Sequence, residues 1–289
     1  TYLAKTDIKI VWTLHDCWAF TGHCAYFDYV KCNKYRTNCE NCPNQKSYPA
    51  SEVFNKSARN FRLKRELLQG LKKENIMFIT PSKWLMSKLN ESFLKEFDKR
   101  IIYNGIDLSN FNLGEIKVLD KPKIVLAVAN VWEARKGYKD VIELANRLNG
   151  EFKVVMVGVS DKQVEELKDT DIVAVKRTSS QKELATLYQN AMVLVNPTYE
   201  EVFGMVNVEA LASGTPVITY NTGGSVEVID NNGYIVKQGN VAGLINKIRL
   251  VEKQNFDRKA ISDKAKQFSD ENMAKNYMDL YEGFGGNNE

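Results

Sequence analysis

The chain has 289 residues, 44% of them hydrophobic, and a formal net charge of +4 at pH 7. That length favours two domains over one, and the apolar share is ordinary for a soluble globular protein. No run of 18 or more apolar residues offers a membrane span, Thr1 opens no signal-peptide pattern, and so small a charge does not argue for nucleic acid.

Taken in chain order, the first predicted strand is Ile8–Leu14, which ends at His15-Asp16. A lone histidine at a strand end is more often structural than functional. All five cysteines follow between Cys17 and Cys42, the last four spaced Cys24-x7-Cys32-x6-Cys39-x2-Cys42. Four thiolates at such spacing can close a tetrahedral structural zinc site. Four reduced structural thiols are the competing account, and disulfides are disfavoured without a sign of secretion. His23 could replace one ligand, and Cys17, beside Trp18, reads as a packed core thiol. Residues 17–50 otherwise lack helix or strand periodicity, so a metal could give the loop a fixed shape.

Residues 56–73 hold Lys56, Arg59, Arg62, Lys64, Arg65, Lys72 and Lys73 against Glu66 alone. Phe54, Ala58, Phe61, Leu67, Leu68 and Leu71 can share part of one helical face. Such a basic amphipathic helix, over 52–73, can lie on an anionic membrane surface or simply pack on its own domain. No nucleic-acid motif accompanies the charge. Strands are predicted at Ile76–Thr80 and Ile101–Tyr103, and a linker at 108–121.

From Lys121 the chain alternates strand and helix. Apolar strand segments are Ile124–Ala129, Phe152–Gly158, Ile172–Val175, Val193–Asn196, Pro216–Tyr220 and Tyr234–Val236, with helices at 138–149, 181–190 and 205–212. The pattern implies an α/β fold with a parallel, doubly wound sheet, which binds phosphorylated ligands at the carboxyl ends of its strands. Glu201 lies at one such end. Gly204 marks the turn into the next helix, whose free N–H groups and dipole suit an anion. Glu209 falls about one turn inside that helix.

The segment Pro197-Thr-Tyr-Glu-Glu-Val-Phe-Gly-Met-Val-Asn-Val-Glu-Ala-Leu-Ala-Ser-Gly-Thr-Pro-Val-Ile resembles the donor-site signature of family-four retaining glycosyltransferases. Ile102-Tyr-Asn-Gly-Ile-Asp107 is similar to the segment that closes their N-terminal domain, and Asn221-Thr-Gly-Gly-Ser-Val-Glu227 to their Gly-Gly-x-x-Glu turn. Trp12-Thr-Leu-His-Asp-Cys-Trp-Ala-Phe-Thr-Gly-His-Cys resembles transferases of exopolysaccharide or lipopolysaccharide assembly, of the colanic-acid type. The resemblance implies GT-B architecture, two Rossmann-like domains facing a cleft. The domains would be 1–107, incomplete at its N-terminus by roughly a hundred residues judged against a typical domain, and 122–270. A helix within 271–289 would cross back to the first.

The resemblance also implies a UDP- or GDP-linked sugar donor and no catalytic metal. Glu209 would take the ribose hydroxyls and Glu201 the sugar hydroxyls. Backbone amides from Phe203 through Gly204 and Met205 to Val206 would meet sugar and phosphate. Lys136, with Arg135, would grip the diphosphate. The family's usual arginine falls instead at Asn130 or Val131. Arg177 would border the nucleobase, and His15 would face the donor sugar. The expected activity is sugar transfer to a saccharide or lipid-linked acceptor in the bacterial cytoplasm, at the inner face of the membrane. An epimerase or phosphorylase on the same plan, or a non-catalytic scaffold using the cysteine loop, are the other classes. An epimerase needs no acceptor, a phosphorylase needs phosphate or a cofactor lysine, and a scaffold transfers nothing.

Overall fold

The computed structural model describes residues 2–51, 54–114 and 123–285. They form two compact units, Thr1–Tyr103 with Met273–Glu289, and Asn104–Asn272. The first contains β1 (Ile10–Thr13), α1 (Ser57–Gln69), β2 (Ile76–Thr80), α2 (Lys83–Asn90) and β3 (Asp98–Ile101). Its strands are parallel in the order β1-β2-β3. The third strand lies earlier than the apolar stretch Ile101–Tyr103 suggested. Asp98-Lys-Arg-Ile is an edge strand, where polar side chains alternate outward, so apolarity is a poor guide to it.

The second unit carries β4 (Ile124–Val128), α3 (Tyr138–Leu148), β5 (Lys153–Val157), α4 (Asp161–Leu167), β6 (Ile172–Val175) and α5 (Gln181–Asn190). It continues with β7 (Val193–Asn196), α6 (Met205–Ala212), β8 (Val217–Tyr220), β9 (Gly233–Val236), α7 (Val241–Lys253) and α8 (Arg258–Ala265). All six strands are parallel, in the order β6-β5-β4-β7-β8-β9. This is the 3-2-1-4-5-6 order of a doubly wound nucleotide-binding fold. Both faces of β4 are buried. Val125 and Ala127 join the core under α3 and α7, while Leu126 turns to the opposite face.

Residues 108–114 of the expected linker pack on this unit. Phe111 is buried 6.2 Å from the Tyr188 ring, and Gln189 donates to the Asn112 carbonyl at 2.8 Å. Residues 115–121 of that linker lie outside the described residues. The last helix, α9 (Asp270–Gly285), contributes Met273, Tyr277, Leu280 and Phe284 to a core with Ile79 and Ile102 in the first unit.

Aromatic rings pack within the cysteine loop of the first unit. Phe27 stacks on Tyr35 at 4.4 Å, and Phe20 meets Tyr35 edge-on at 5.7 Å. The Tyr35 hydroxyl donates to Glu91, which also takes Arg36. The outer face of α1 differs from expectation too. Phe61 is buried, whereas Leu63, Leu67 and the preceding Phe54 are exposed.

Lys64 ties α1 to this loop. Its ammonium lies 3.3 Å over the Trp18 ring and donates to the carbonyls of Trp18 (2.6 Å) and Thr21 (3.1 Å). Burial pulls its pKa down to about 8. Between that value and the ordinary lysine range near 10.5, the folded chain has released a proton that the unfolded chain keeps. Stability therefore rises with pH across this window. Lys64→Met should abolish that rise, so the wild-type stability measured by urea melts should gain on the variant between about pH 8 and pH 10.5. Parallel curves would exclude the lowered Lys64 pKa.

Candidate nucleotide-sugar site

In an open parallel sheet, a crevice forms where the strand order reverses, because the connections on either side leave to opposite faces. Here the reversal falls between β4 and β7. Two adjoining cavities of about 860 and 240 Å³ open there, sharing the wall Val128–Val131 and Val206.

The helix α6 opens into the crevice from Gly204, whose φ of +95° is left-handed. No side chain caps it, which leaves the first-turn N–H groups for a ligand. Met205 and Val206 line the smaller cavity. Phe203 does not line either cavity: it is buried and packs edge-on against Phe268 at 5.8 Å.

Glu201 lines the smaller cavity and accepts from Lys136 Nζ at 2.7 Å. Lys136 comes from the short turn Ala134–Lys136 ahead of α3. Arg135 also lines that cavity, but its guanidinium bonds to Glu133 at 2.8 Å. Asn130 and Val131 stand exposed on the wall common to both cavities, where the family's arginine was expected. The glycine turn braces Glu201 from behind. The Gly224 amide donates to the Glu201 carbonyl at 3.0 Å, and a Cβ on Gly223 would sit 1.8 Å from that oxygen at a φ of +50°. The glycines of Asn221–Glu227 are thus required by backbone approach.

Glu209 lines the larger cavity. Burial raises its carboxyl pKa, and a hydrogen bond from the Tyr188 hydroxyl at 2.8 Å opposes the rise. Arg177 is exposed on the loop after β6 and lines the same cavity beside Lys176, which pairs with Asp161.

His15 is exposed just beyond β1, in the other unit. The zinc expectation concerns Cys24, Cys32, Cys39 and Cys42, and the other three thiols lie near enough to Cys24 to act on its titration. Among the described residues no group of three or more His, Cys, Asp or Glu is placed to hold a metal ion. Cys24, Cys32, Cys39 and Cys42 are free thiols, and burial pushes Cys24 to about 12 and Cys39 to about 11. His23 Nε2 lies 3.0 Å from the Gln45 carbonyl oxygen.

Sequence reasoning missed several supports of the site. Tyr188 holds Glu209 from α5. Asp140, in the first turn of α3, accepts from the hydroxyls of Tyr199 (2.8 Å) and Tyr220 (2.7 Å). Gln163 of α4 donates to the Trp132 carbonyl at 2.9 Å. Only the last carried a readable signal, the capping box Ser160-x-x-Gln163.

Tyr188→Phe should destabilise the second unit at pH 7 by about 1.5–3 kcal/mol, the usual worth of a hydrogen bond to a charged group. The loss should shrink as pH falls and Glu209 takes up its proton, because the hydroxyl favours the carboxylate. Urea melts across pH check this, and a pH-independent loss would point to packing alone.

The glycosyl transferases group 1 family matches residues 111–268. WcaC of Escherichia coli strain K12, whose name places it among colanic acid biosynthesis glycosyl transferases, is 25% identical over 79% of this chain and 56% of its own length. The N,N'-diacetylbacillosaminyl-diphospho-undecaprenol alpha-1,3-N-acetylgalactosaminyltransferase of Campylobacter jejuni is 27% identical over 74% of this chain and 56% of its own. The chain thus spans about half the length of these curated relatives. Anabaena HepE, solved with UDP, superposes with a TM-score of 0.69 over 95% of this chain and 72% of its own, at 16% identity. Sucrose-phosphate synthase of Thermosynechococcus elongatus gives a TM-score of 0.65 over 82% and 64%, at 25% identity. The fold is accordingly α/β of the GT-B class, and the chain belongs to the group 1 glycosyl transferases.

Proposed function

We propose that the protein is a retaining hexosyltransferase that moves a sugar from a nucleotide-diphosphate sugar to a saccharide or lipid-linked saccharide acceptor, in cell-surface polysaccharide synthesis of the colanic-acid kind. One observation carries the reading: Lys136, Glu201 and Glu209 all line the crevice into which α6 opens, at the strand-order reversal. Amides and a cation suit phosphate, while the carboxylates suit hydroxyls. A nucleotide sugar has both.

In this mechanism Glu209 takes the ribose hydroxyls and Glu201 the sugar hydroxyls. The amides from Phe203 to Val206 meet sugar and phosphate, and Arg177 borders the base. The bond between the anomeric carbon and the phosphate oxygen breaks as the acceptor oxygen adds on the same face, and its proton passes to the leaving phosphate. Lys136, with Arg135, stabilises the negative charge gathering on the diphosphate, without a catalytic metal. Asn130 replaces the second cation of the family's usual clamp. His15 takes its sugar-orienting role from the resemblance alone. HepE has been solved with UDP and with UDP-glucose, which makes those the first ligands to try.

Peripheral contact with the cytoplasmic membrane is part of the reading. Its support is the exposed pair Leu63 and Leu67 on α1 among exposed Arg59, Arg62 and Arg65. Among the described residues no helix is long and apolar enough to cross a membrane.

Calorimetric titration with UDP, GDP, UDP-glucose and GDP-mannose tests the donor site. Glu209→Ala should weaken nucleotide binding by about 1.5–3 kcal/mol, and equal affinity would refute the ribose assignment. In a transfer assay Lys136→Ala should lower turnover by orders of magnitude. For the membrane, co-sedimentation should be seen with anionic but not zwitterionic vesicles and should fall for Arg59→Glu/Arg62→Glu. Binding indifferent to lipid charge would discard α1 as the contact.

A further inference from the structure

The cation given to the diphosphate and the carboxylate given to the sugar are bonded to each other. Lys136 Nζ donates to Glu201 Oε2 at 2.7 Å, with the side chains only 22% and 18% exposed. The charged residues lining this smaller cavity are Arg135, Lys136 and Glu201. Arg135 is engaged by Glu133, and Asn130 is neutral. An incoming phosphate therefore shares Lys136 with a carboxylate whose backbone is anchored beside it, the Glu201 carbonyl accepting from the Gly224 amide at 3.0 Å.

The two ligands of such a site differ at this point. A nucleotide sugar carries a single negative charge on its second phosphate and brings sugar hydroxyls, which donate to Glu201 while the phosphate takes Lys136. A nucleoside diphosphate ends instead in a bare phosphate of about −1.5 to −2 charge at pH 7. It brings no sugar hydroxyl to the carboxylate, and in its doubly ionised form it meets Glu201 as a like charge in a partly desolvated cavity, where such repulsion is stronger than in water.

We propose that the Lys136–Glu201 pair makes the site discriminate against the nucleoside diphosphate in favour of the intact nucleotide sugar, with Glu201 as the group that disfavours the spent product. The inference rests on the donor-site reading above. Glu201 thereby has two roles, a partner for the sugar before transfer and a repulsive neighbour for the terminal phosphate after it. The second shortens the residence of the product.

The test compares Glu201→Gln with wild type by titrating the full chain with UDP, UDP-glucose, GDP and GDP-mannose. The amide keeps the shape and hydrogen-bonding capacity but removes the charge, and frees Lys136 for phosphate. The nucleoside diphosphate should bind more tightly to the variant and the nucleotide sugar more weakly or equally. The ratio of the two affinities should shift by roughly tenfold, about 1.4 kcal/mol. The gain should fade in high salt, as an electrostatic effect must. Equal changes for both ligands, or weaker diphosphate binding, would overturn the proposal. Lys136→Met provides an independent check, because the carboxylate left without its counter-charge should penalise the diphosphate more than the nucleotide sugar. An equal penalty on both counts against it. Wild type that binds none of the four ligands would overturn the donor-site reading itself, which separates the two failures.

Discussion

Strand order in the second unit reverses between β4 and β7, and the rest of the site depends on that point of the sheet. Helices on either side leave to opposite faces, so the carboxyl ends of these two strands have no helix packed directly over them. The chain beyond β4 then supplies Asn130 through Lys136, and the chain beyond β7 supplies Glu201 and the start of α6. A parallel sheet buried on both faces is rigid, so side chains borne by its strand ends hold position without contributions from a ligand.

Buried polar bonds fix the crevice further. Asn196, at the last position of β7, donates to the Asn207 side chain of α6 at 2.9 Å, and Asn207 donates onward to the Ser225 carbonyl at 3.1 Å. Thr219 of β8 donates to the Asn196 carbonyl at 3.0 Å. These groups are buried, so each bond withheld would leave a desolvated polar atom. The network ties α6 to β7 and to the turn after β8. The Tyr199 amide donates to the Arg135 carbonyl at 2.8 Å, and the Tyr199 hydroxyl reaches Asp140. Those two bonds join the loop of Glu201 to the loop of Lys136, which makes their 2.7 Å contact a property of the scaffold.

The sequence made parts of this legible for physical reasons. Gly204 and the mainly apolar stretch Val206 to Ala212, broken by Asn207 and Glu209, announce a turn and a buried helix, and α6 spans Met205–Ala212. The strands of the second unit read clearly because a sheet covered on both faces needs continuous apolar segments. Edge strand β3 did not, because half of its surface is solvated. Tyr188 and Asp140 were invisible for another reason: their partners lie 21, 59 and 80 residues away in the chain, and no local pattern encodes such bonds. In the cysteine loop the spacing of the thiols is conspicuous in the sequence, whereas the packing of Phe20, Phe27 and Tyr35 has no period to announce it.

The site combines groups that would oppose one another if each acted alone. A helix N-terminus and a lysine attract any anion, sulfate or phosphate included. A carboxylate bonded to that lysine and another inside the helix reduce the attraction. Burial raises the energy of the Glu209 carboxylate further, and Tyr188 only partly offsets it. On the proposed donor-site reading, affinity for simple anions is thereby lowered, and the lost interaction returns to a ligand that brings hydroxyl donors together with its phosphates. Specificity of this kind arises from what the site withholds from the wrong ligand as much as from what it offers the right one.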